Sequence, residues 1–305
     1  MQAKRLNLDA GLYIIATPLG NARDITLRAL DVLTSADVIL CEDTRLSGRL
    51  TQLYAIDTKR IAYHEHNAAA LRPKILARLA AGEAVALISD AGTPLISDPG
   101  MPLVRAARQA GHQVTAVPGP SAPIAALSIS GLPTDRFSFA GFLPPKQAAR
   151  RRALRDLGTI PATLVLFESA KRLTALLGDI EHELGPRQVC VARELTKKFE
   201  DVQSGTAAQL AAHFTQSPPR GEVTLLIEGG GLPEADGADI DAMLRDALQN
   251  MSRRDAVQAV AEMTGRPRKS VYAQALKLDA AAPSPDTSNK KDKNHDPAAP
   301  ISKKP

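Results

Sequence analysis

The chain has 305 residues and a formal net charge of +5, and its length is sufficient for two domains with cores of their own. Its 44% apolar and 23% charged fractions are ordinary for a globular protein. Only 3% of the residues are aromatic and none is tryptophan, which argues against nucleic-acid recognition on a broad platform of stacked rings. The mild basic excess is compatible with a nucleic-acid partner without establishing one.

The two cysteines, Cys41 and Cys190, both lie in apolar runs, and no paired Cys or Cys/His spacing accompanies them. The sequence therefore predicts neither a disulfide framework nor a zinc site. The N-terminal residues lack the apolar stretch of a signal peptide, and no run approaches the length of a transmembrane helix. We therefore expect a cytoplasmic protein with no membrane partner.

Short apolar runs alternate with amphipathic stretches through the N-terminal part of the chain. The runs predict strands at 12–16, 38–41, 60–63, 84–88 and 114–117. The stretches between them predict helices, one of which places Leu27, Leu30 and Leu33 on a single face. This alternation is typical of right-handed βαβ units and a mostly parallel sheet.

The pattern breaks at residues 131–134, GLPT, and a second α/β unit follows. Its predicted strands are 137–141, 163–167, 188–192 and 222–227, with a basic helix at 146–155. Three short helices are predicted at 240–249, 253–264 and 269–278. The sequence thus predicts two α/β domains, 11–133 and 134–232, a small helical region, 237–279, and a tail, 280–305. The tail is rich in Ala, Pro, Ser and Lys with little apolar bulk, so we expect it to be disordered.

The stretch 84–100, AVALISDAGTPLISDPG, joins a predicted buried strand to a loop that is unusual in composition. Gly92 and Gly100 permit positive φ and close approach of the backbone, while Pro94 and Pro99 fix the path between them. Three other predicted strands end in comparable loops, TPLGN, CEDTR and PGPSA. Because ligands bind beyond the carboxyl ends of the strands in open α/β sheets, these loops predict a ligand site rather than ordinary connections.

An acidic pair, Glu42 and Asp43, ends the second strand about 20 residues after the first loop, as in a dinucleotide site. The glycine fingerprint of such sites needs three glycines, and only Gly20 is present. A ligand with a ribose and no phosphate fits better, held by backbone groups of the loops at 90–93 and 118–122.

Several motifs together indicate a family. TPLGNARDITLRAL, CEDTR, ISDAGTPLISDPG and VPGPSA, in this order, resemble the tetrapyrrole methylase superfamily of S-adenosylmethionine-dependent methyltransferases. YHEHN, FLPPK, FESAKRL, ARELTKKFE and RGEVTLLIEG resemble its branch that acts on small-subunit ribosomal RNA. The resemblance covers roughly residues 11–278. It implies a tetrapyrrole-methylase-like pair of α/β domains, a homodimer and 2′-O-methylation of a decoding-region cytidine in 16S rRNA within the small ribosomal subunit.

The same resemblance implies which residues hold the cofactor, S-adenosylmethionine, in the cleft between the domains. The implied contacts are Pro18, Asp90, Ala91, Gly92, Thr93, Pro94, Ile96, Ser121, Ala122, Phe167 and Gly221. Basic residues suited to RNA phosphates are Arg45, Lys146, Arg150, Arg151, Arg152, Arg172 and Lys198. Up to half of such surface charges are expected only to be solvated.

Methyl transfer to a ribose hydroxyl needs alignment and help in removing a proton. Candidates for that help are Glu42, Asp43, His64, Lys171, Glu194 and Lys197. Each has an ordinary alternative, since an acid of the CEDTR loop can cap the next helix and Glu194 can pair with Arg193. His64 and His66 alone are too few ligands for a metal. The sequence leaves the base unassigned.

Two other functions remain open at this point. One is carbon methylation of a tetrapyrrole-like small molecule, and the other is RNA binding during ribosome assembly without catalysis. The motifs YHEHN and ARELTKKFE and the basic helix favour RNA over a small acceptor, and the intact SDAGTP and PGPSA loops favour a catalyst.

Overall fold

A computed structural model describes residues 4–230, 237–264 and 266–280 of the chain. The chain divides between Gly230 and Gly231 into two compact units. The first unit holds two five-stranded sheets, and the described part of the second is helical. Within the described residues, no helix has the length and apolar character needed to cross a membrane.

The first sheet is built from five short strands. They are β1 (Gly11–Ile15), β2 (Val38–Cys41), β3 (Arg60–Ala62), β4 (Ala84–Ile88) and β5 (Val114–Val117). Their order is β3-β2-β4-β1-β5, and each pairing is parallel. The carboxyl ends of all five strands therefore meet at one edge, where the loops that follow them can converge.

Helices cover both faces of this sheet. Those that connect and follow its strands are α1 (Leu27–Ser35), α2 (Thr44–Leu53), α3 (Glu65–Ala80), α4 (Met101–Gln109) and α5 (Ala122–Ser130). Leu33 of α1 belongs to the same core cluster as Ile39, while Ile75 of α3 shares the cluster on the other face with Leu40. Burial on both faces explains why β2 and β4 are apolar throughout.

The second sheet is mixed. Its strands are β6 (Phe137–Phe142), β7 (Thr163–Ser169), β8 (Gln188–Arg193), β9 (Asp201–Thr206) and β10 (Glu222–Ile227). In the order β6-β7-β10-β8-β9, β6 and β7 are parallel and the other neighbours are antiparallel. One face carries α6 (Gln147–Gly158), α7 (Ala170–Leu184) and α8 (Ala207–Gln216). The other face packs on α5, where Ala126 and Leu127 meet Val165 and Leu226.

The predicted fold class is confirmed, with one strand missed. β2, β4, β5 and β10 begin and end where the apolar runs predict. β9 has the sequence DVQSGT, with no apolar run, because it is an edge strand that pairs with β8 alone. The two sheets lie on either side of the predicted division at 133/134, and the domain boundaries themselves stay a prediction.

The described part of the second unit contains three helices, α9 (Gly237–Asn250), α10 (Arg253–Thr264) and α11 (Arg268–Ala280), close to the three predicted. Ile240, Val257 and Val271 share its small core. Ser252 caps α10, since its Oγ accepts the backbone N–H of Asp255 (3.3 Å). Apart from residue 280, the predicted disordered tail lies outside the described residues.

Candidate functional site

The loops that follow β1, β4 and β5 are tied together by hydrogen bonds. Thr17 and Gly92 exchange two backbone bonds, from Thr17 N–H to the Gly92 carbonyl (2.9 Å) and from Gly92 N–H to the Thr17 carbonyl (3.0 Å). The Thr17 hydroxyl donates to the Ser89 carbonyl (3.0 Å), and the Thr93 hydroxyl donates to the Pro120 carbonyl (3.0 Å). These bonds hold the predicted ligand loops as one rigid edge.

The loop after β4 contains strained backbone. Gly92 adopts φ +77°, and a Cβ added there would lie 3.1 Å from Cδ2 of Leu19. Leu95 and Ser97 adopt φ values of +72° and +68° although each carries a side chain. Positive φ in non-glycine residues such as Leu95 and Ser97 costs about 1–3 kcal/mol each and clusters at ligand sites, where the surrounding structure maintains it.

This edge forms one wall of a cleft of about 470 Å³, and the second sheet forms the other wall. That volume lies within the range of small-molecule and cofactor sites. Residues lining the cleft from the first sheet and its loops are Leu19, Glu42, Asp90, Ala91, Gly92, Thr93, Ile96, Ser97, Asp98, Ser121, Ala122 and Pro123. Those lining it from the second sheet are Phe142, Phe167, Glu168, Ser169, Gly221, Glu222, Val223 and Thr224.

All the predicted cofactor contacts except Pro18 and Pro94 line this cleft. Pro94 is buried and Pro18 half-buried within the loops themselves, where each restricts the backbone path. The cleft thus brings together residues of the first sheet with Phe167 and Gly221 of the second. Their contact with a cofactor stays a prediction.

Three carboxylates, Glu42, Asp90 and Asp98, give the cleft a negative wall. Burial, together with the charges of Glu42 and Asp90, raises the pKa of Asp98 to about 6. Burial is also the main cause that raises the pKa of Glu42 and of Asp90. A cation in the cleft would relieve this repulsion, so the wall suits a positively charged ligand.

Asp43, predicted as a candidate base beside Glu42, caps α2 instead. Its Oδ1 accepts from the backbone N–H of Arg45 (2.8 Å), and its Oδ2 accepts from the Arg45 guanidinium (2.8 Å). These bonds lower the pKa of Asp43 to about 2, which makes it a weak base. The capping alternative is therefore confirmed for Asp43, while Glu42 faces the cleft.

The two histidines of YHEHN stand at the beginning of α3. His64 donates its backbone N–H to Oδ1 of Asn67 (2.9 Å), and the rings of His64 and His66 are 6.0 Å apart. Among the described residues, no group of three or more His, Cys, Asp or Glu is arranged to hold a metal ion. His64 lies near enough to Glu42 for its charge to affect the carboxyl, so it stays a candidate for proton transfer.

Glu194 and Lys197 belong to a loop that borders the cleft. The Lys197 ammonium lies 2.9 Å from a carboxylate oxygen of Glu194 and 2.9 Å from one of Glu222. Burial alone would lower the pKa of Lys197, but these two carboxylates outweigh it and raise the pKa. Lys197 is therefore charged near neutral pH and is a poor base. The remaining candidate, Lys171, is an exposed residue at the beginning of α7.

Two arginines predicted to contact RNA are used inside the protein. Arg150 is 5% exposed, and its Nε donates to Oδ2 of the buried Asp179 (2.7 Å). Its position on the inner face of α6 removes it from the predicted RNA surface, and we correct that assignment. Arg172 is half-buried, pairs with Glu168 (3.0 Å) and donates to the Leu143 carbonyl (2.8 Å). Asp179 and Leu143 each lie 29 residues from the arginine that they bind, so the sequence does not show these two pairings, whereas Glu168 is only four residues from Arg172.

The other residues predicted to contact RNA are at least partly exposed to solvent. Lys146, Arg152 and Lys198 are exposed or half-exposed, and Arg45 is 88% exposed despite its bond to Asp43. Arg151 is half-buried against Asp179. Arg45 also lines a second hollow of about 460 Å³ beside α2, together with Arg49 and Arg60.

Ten residues that line the cleft were not predicted from the sequence, and six of them belong to the second wall. The unassigned lining residues are Leu19, Ser97, Asp98, Pro123, Phe142, Glu168, Ser169, Glu222, Val223 and Thr224. Most lie inside motifs noted in the sequence, FLPPK, FESAKRL and RGEVTLLIEG among them. The motifs indicated which segments border the site, but only the packing of the two sheets shows which of their side chains line the cleft.

Comparison with known families agrees with this architecture. Residues 11–211 match the profile described as Tetrapyrrole (Corrin/Porphyrin) Methylases, and residues 234–279 match one described as RsmI C-terminal HTH domain. Uroporphyrin-III C-methyltransferase from Thermus thermophilus, solved in complex with S-adenosyl homocysteine, has a similar fold with a TM-score of 0.51. At 20% identity over 71% of this chain and 96% of that one, the likeness extends to the fold alone.

Curated relatives are much more similar in sequence. Ribosomal RNA small subunit methyltransferase I of Mesorhizobium japonicum is 46% identical over 89% of this chain and 93% of that protein. The protein of the same name from Erythrobacter litoralis is 48% identical over 89% of this chain and 96% of its own length.

Proposed function

The chain belongs to the tetrapyrrole methylase family and, within it, to the ribosomal RNA small subunit methyltransferase I group, and we propose that it 2′-O-methylates a decoding-region cytidine of 16S rRNA. The methyl donor is S-adenosylmethionine. The single observation that carries the proposal is the two-walled cleft, because its first wall is made of the loops that the family motifs predict.

The residues present fit this cofactor. Its sulfonium is cationic, and Glu42, Asp90 and Asp98 supply negative charge at the same wall. Gly92 has no side chain where the loops after β1 and β4 meet, so a ligand can approach the backbone closely. Bound S-adenosylmethionine supplies the activated methyl group.

The protein's own contribution is alignment and proton removal. An in-line displacement requires the ribose hydroxyl to face the methyl carbon, which a cleft with two rigid walls can enforce. Glu42 is the candidate base that lines the cleft, and its raised pKa brings its basicity nearer to neutral pH. His64, close to Glu42, is the second candidate.

RNA is the acceptor that the surface supports. Lys146, Arg152 and Lys198 are accessible for phosphate contacts, and the hollow of Arg45, Arg49 and Arg60 adds a positive groove beside α2. We also propose that the protein acts as a cytoplasmic homodimer, which light scattering of the purified chain tests directly.

Methyl transfer from labelled S-adenosylmethionine to 30S subunits that lack the modification tests the function. We expect label in 16S rRNA and 2′-O-methylcytidine after digestion to nucleosides. Incorporation into a tetrapyrrole instead, or methylation of a base, would contradict the proposal. A Glu42→Gln variant tests the base, because it should lower kcat measured at saturating S-adenosylmethionine, where any loss of cofactor affinity no longer limits the rate.

The salt dependence of subunit binding provides an independent test. Each phosphate contact adds about 0.7–0.9 to the slope of log affinity against log salt concentration. A polyanionic substrate therefore predicts a steep slope, while a small carboxylate-bearing acceptor predicts a shallow one.

A further inference from the structure

Phe142 is an exposed aromatic residue at the rim of the cleft. Its side chain is 58% exposed although it lines the cleft, and it is the last residue of β6 and the first of the motif FLPPK. A large exposed ring is informative because it leaves one apolar face without a partner in the protein. The other side of the Phe142 ring packs against Phe167, with a centroid distance of 5.6 Å.

A β-bulge directs this ring to the cleft. Along β6, Phe139 pairs with Val165, but Gly141 and not Ala140 pairs with the next residue of β7. Without the extra residue, positions 139 and 142 would point to opposite faces of the strand. With it, Phe139 and Phe142 both contact Phe167, at 5.0 and 5.6 Å between centroids. Bulges commonly redirect side chains beside functional sites.

The loop after Phe142 is fixed by two arginines that bond inside the protein, Arg150 and Arg172. Arg172 donates to the Leu143 carbonyl (2.8 Å), and Arg150 donates to the Pro145 carbonyl (3.1 Å). Both guanidiniums are anchored by ion pairs, to Glu168 and Asp179 respectively. The loop is therefore rigid, with exposed residues at each end, Phe142 and Lys146.

We propose that Phe142 stacks on the base of the acceptor nucleotide, with Lys146 contacting an RNA phosphate beside it. The inference rests on the proposed function and names the substrate contact of the same cleft. Single-stranded RNA is recognised by stacking of unpaired bases on aromatic rings with basic residues on the backbone. The ring lies on the wall opposite the Asp90–Thr93 loop, across the cleft from most of the predicted cofactor contacts, where an acceptor nucleotide can reach it.

Position separates this ring from the cofactor contacts. Phe167 is half-buried inside the cleft, whereas Phe142 lies at the rim with more than half of its surface exposed. Most of the predicted cofactor contacts belong to the loops of the first wall, and Phe142 is not one of the predicted contacts. An acceptor base arriving from solvent can reach the open face directly.

The test compares Phe142→Ala, Phe142→Leu and Phe142→Trp with Phe137→Ala, a matched control. Phe137 is on the same strand and 44% exposed, but it does not line the cleft. Alanine at 142 should lower kcat/KM for 30S subunits about 5- to 100-fold, since stacking of one base has that effect. Tryptophan should retain activity within a few-fold, leucine should resemble alanine, and the control should resemble wild type. Cofactor Kd measured by calorimetry should be unchanged in all four variants.

A second substrate identifies the stacked base. Subunits reconstituted with an abasic ribose at the acceptor position should abolish the difference between wild type and Phe142→Ala. Equal activity of folded Phe142→Ala and wild type on normal subunits would overturn this inference alone. A parallel loss of cofactor affinity would also overturn it, because the ring would then serve the cofactor. If wild type methylates no ribosomal RNA, the proposed function fails and this inference fails with it.

Discussion

The carboxylate of Glu194 occupies the space that a side chain at Gly221 would need. It accepts the backbone N–H of Glu222 (3.0 Å) and the ammonium of Lys197 (2.9 Å). Gly221 has φ +82° and Glu194 has φ +49°, so both residues have left-handed backbone conformation. The contact joins the loop after β8 to the part of β10 that borders the cleft.

Replacing Gly221 by Ala should displace the Glu194 carboxylate and open this corner of the cleft. We expect the free energy of unfolding to fall by about 1–3 kcal/mol, from the positive φ and from loss of the hydrogen bonds. Methyltransferase activity should fall as well. Gly178→Ala is the control, because Gly178 lies in α7 with nothing within 4 Å of an added Cβ. That change should leave Tm equal or slightly higher, and equal Tm values for the two variants would contradict the role of Glu194.

Gly92→Ala should separate the cost of backbone strain from the cost to ligand binding. The added methyl group meets Leu19 at 3.1 Å at the junction of two cleft loops, with φ at +77°. Gly111→Ala is a matched control, since Gly111 has φ +81° and open space around it. Both variants should lose about 1 kcal/mol of stability. Only Gly92→Ala should raise the Kd for S-adenosylmethionine, and calorimetry showing equal Kd values would refute this placement.

Asp98→Asn should make the ligand-free protein more stable at alkaline pH. Since the folded pKa is about 6 and the ordinary value is about 4, the folded state retains a proton that the unfolded chain releases. That stabilisation is complete below about pH 4 and is lost as pH rises through 6. The variant avoids the loss, so its free energy of unfolding should exceed that of wild type by about 1–3 kcal/mol at pH 8 and be similar at pH 4.

The same substitution should weaken binding of the cationic cofactor. Asp98 is ionised above its pKa, so the loss of affinity in Asp98→Asn should be seen at pH 8 and largely disappear at pH 5. Thermal unfolding and calorimetry at the two pH values measure both effects. Parallel pH profiles for the variant and wild type would show that Asp98 does not titrate in this range.

Arg150→Ala should affect stability and Arg152→Ala should affect RNA binding, although the two residues are only two positions apart. Arg150 neutralises Asp179, which is 1% exposed, so its loss should cost on the order of 3 kcal/mol of stability. Arg152 is exposed on α6, so its loss should leave Tm unchanged. It should instead reduce the log–log salt slope of RNA binding by about 0.7–0.9. A normal Tm for Arg150→Ala would contradict the buried ion pair.

Strands could be predicted from the sequence where burial of a segment shows in its own run of apolar residues. The apolar runs at 38–41, 84–88 and 222–227 predict strands that the structure confirms, because burial on both faces leaves little room for polar residues. The polar edge strand Asp201–Thr206 escaped prediction because its pairing with β8 on one side demands no such run.

The site was predictable to the extent that it lies in single loops. The loops holding Asp90–Thr93 and Ser121–Ala122 could be identified, since each combines Gly or Pro with a strand end. Phe142 faces the cleft because of a bulge, and bulges leave no reliable pattern in a sequence. Arg150 reads like its neighbours Arg151 and Arg152, and only its partner Asp179, 29 residues away, distinguishes it.

The order of strands in the first sheet has a consequence for how the protein folds. β1 leaves the ribosome first, yet its neighbours β4 and β5 are synthesised much later. The bond from the Thr17 hydroxyl to the Ser89 carbonyl closes a separation of 72 residues. Parallel pairing over such distances is slow compared with helix formation. The ability to bind a ligand is therefore acquired late, after local helices have already formed.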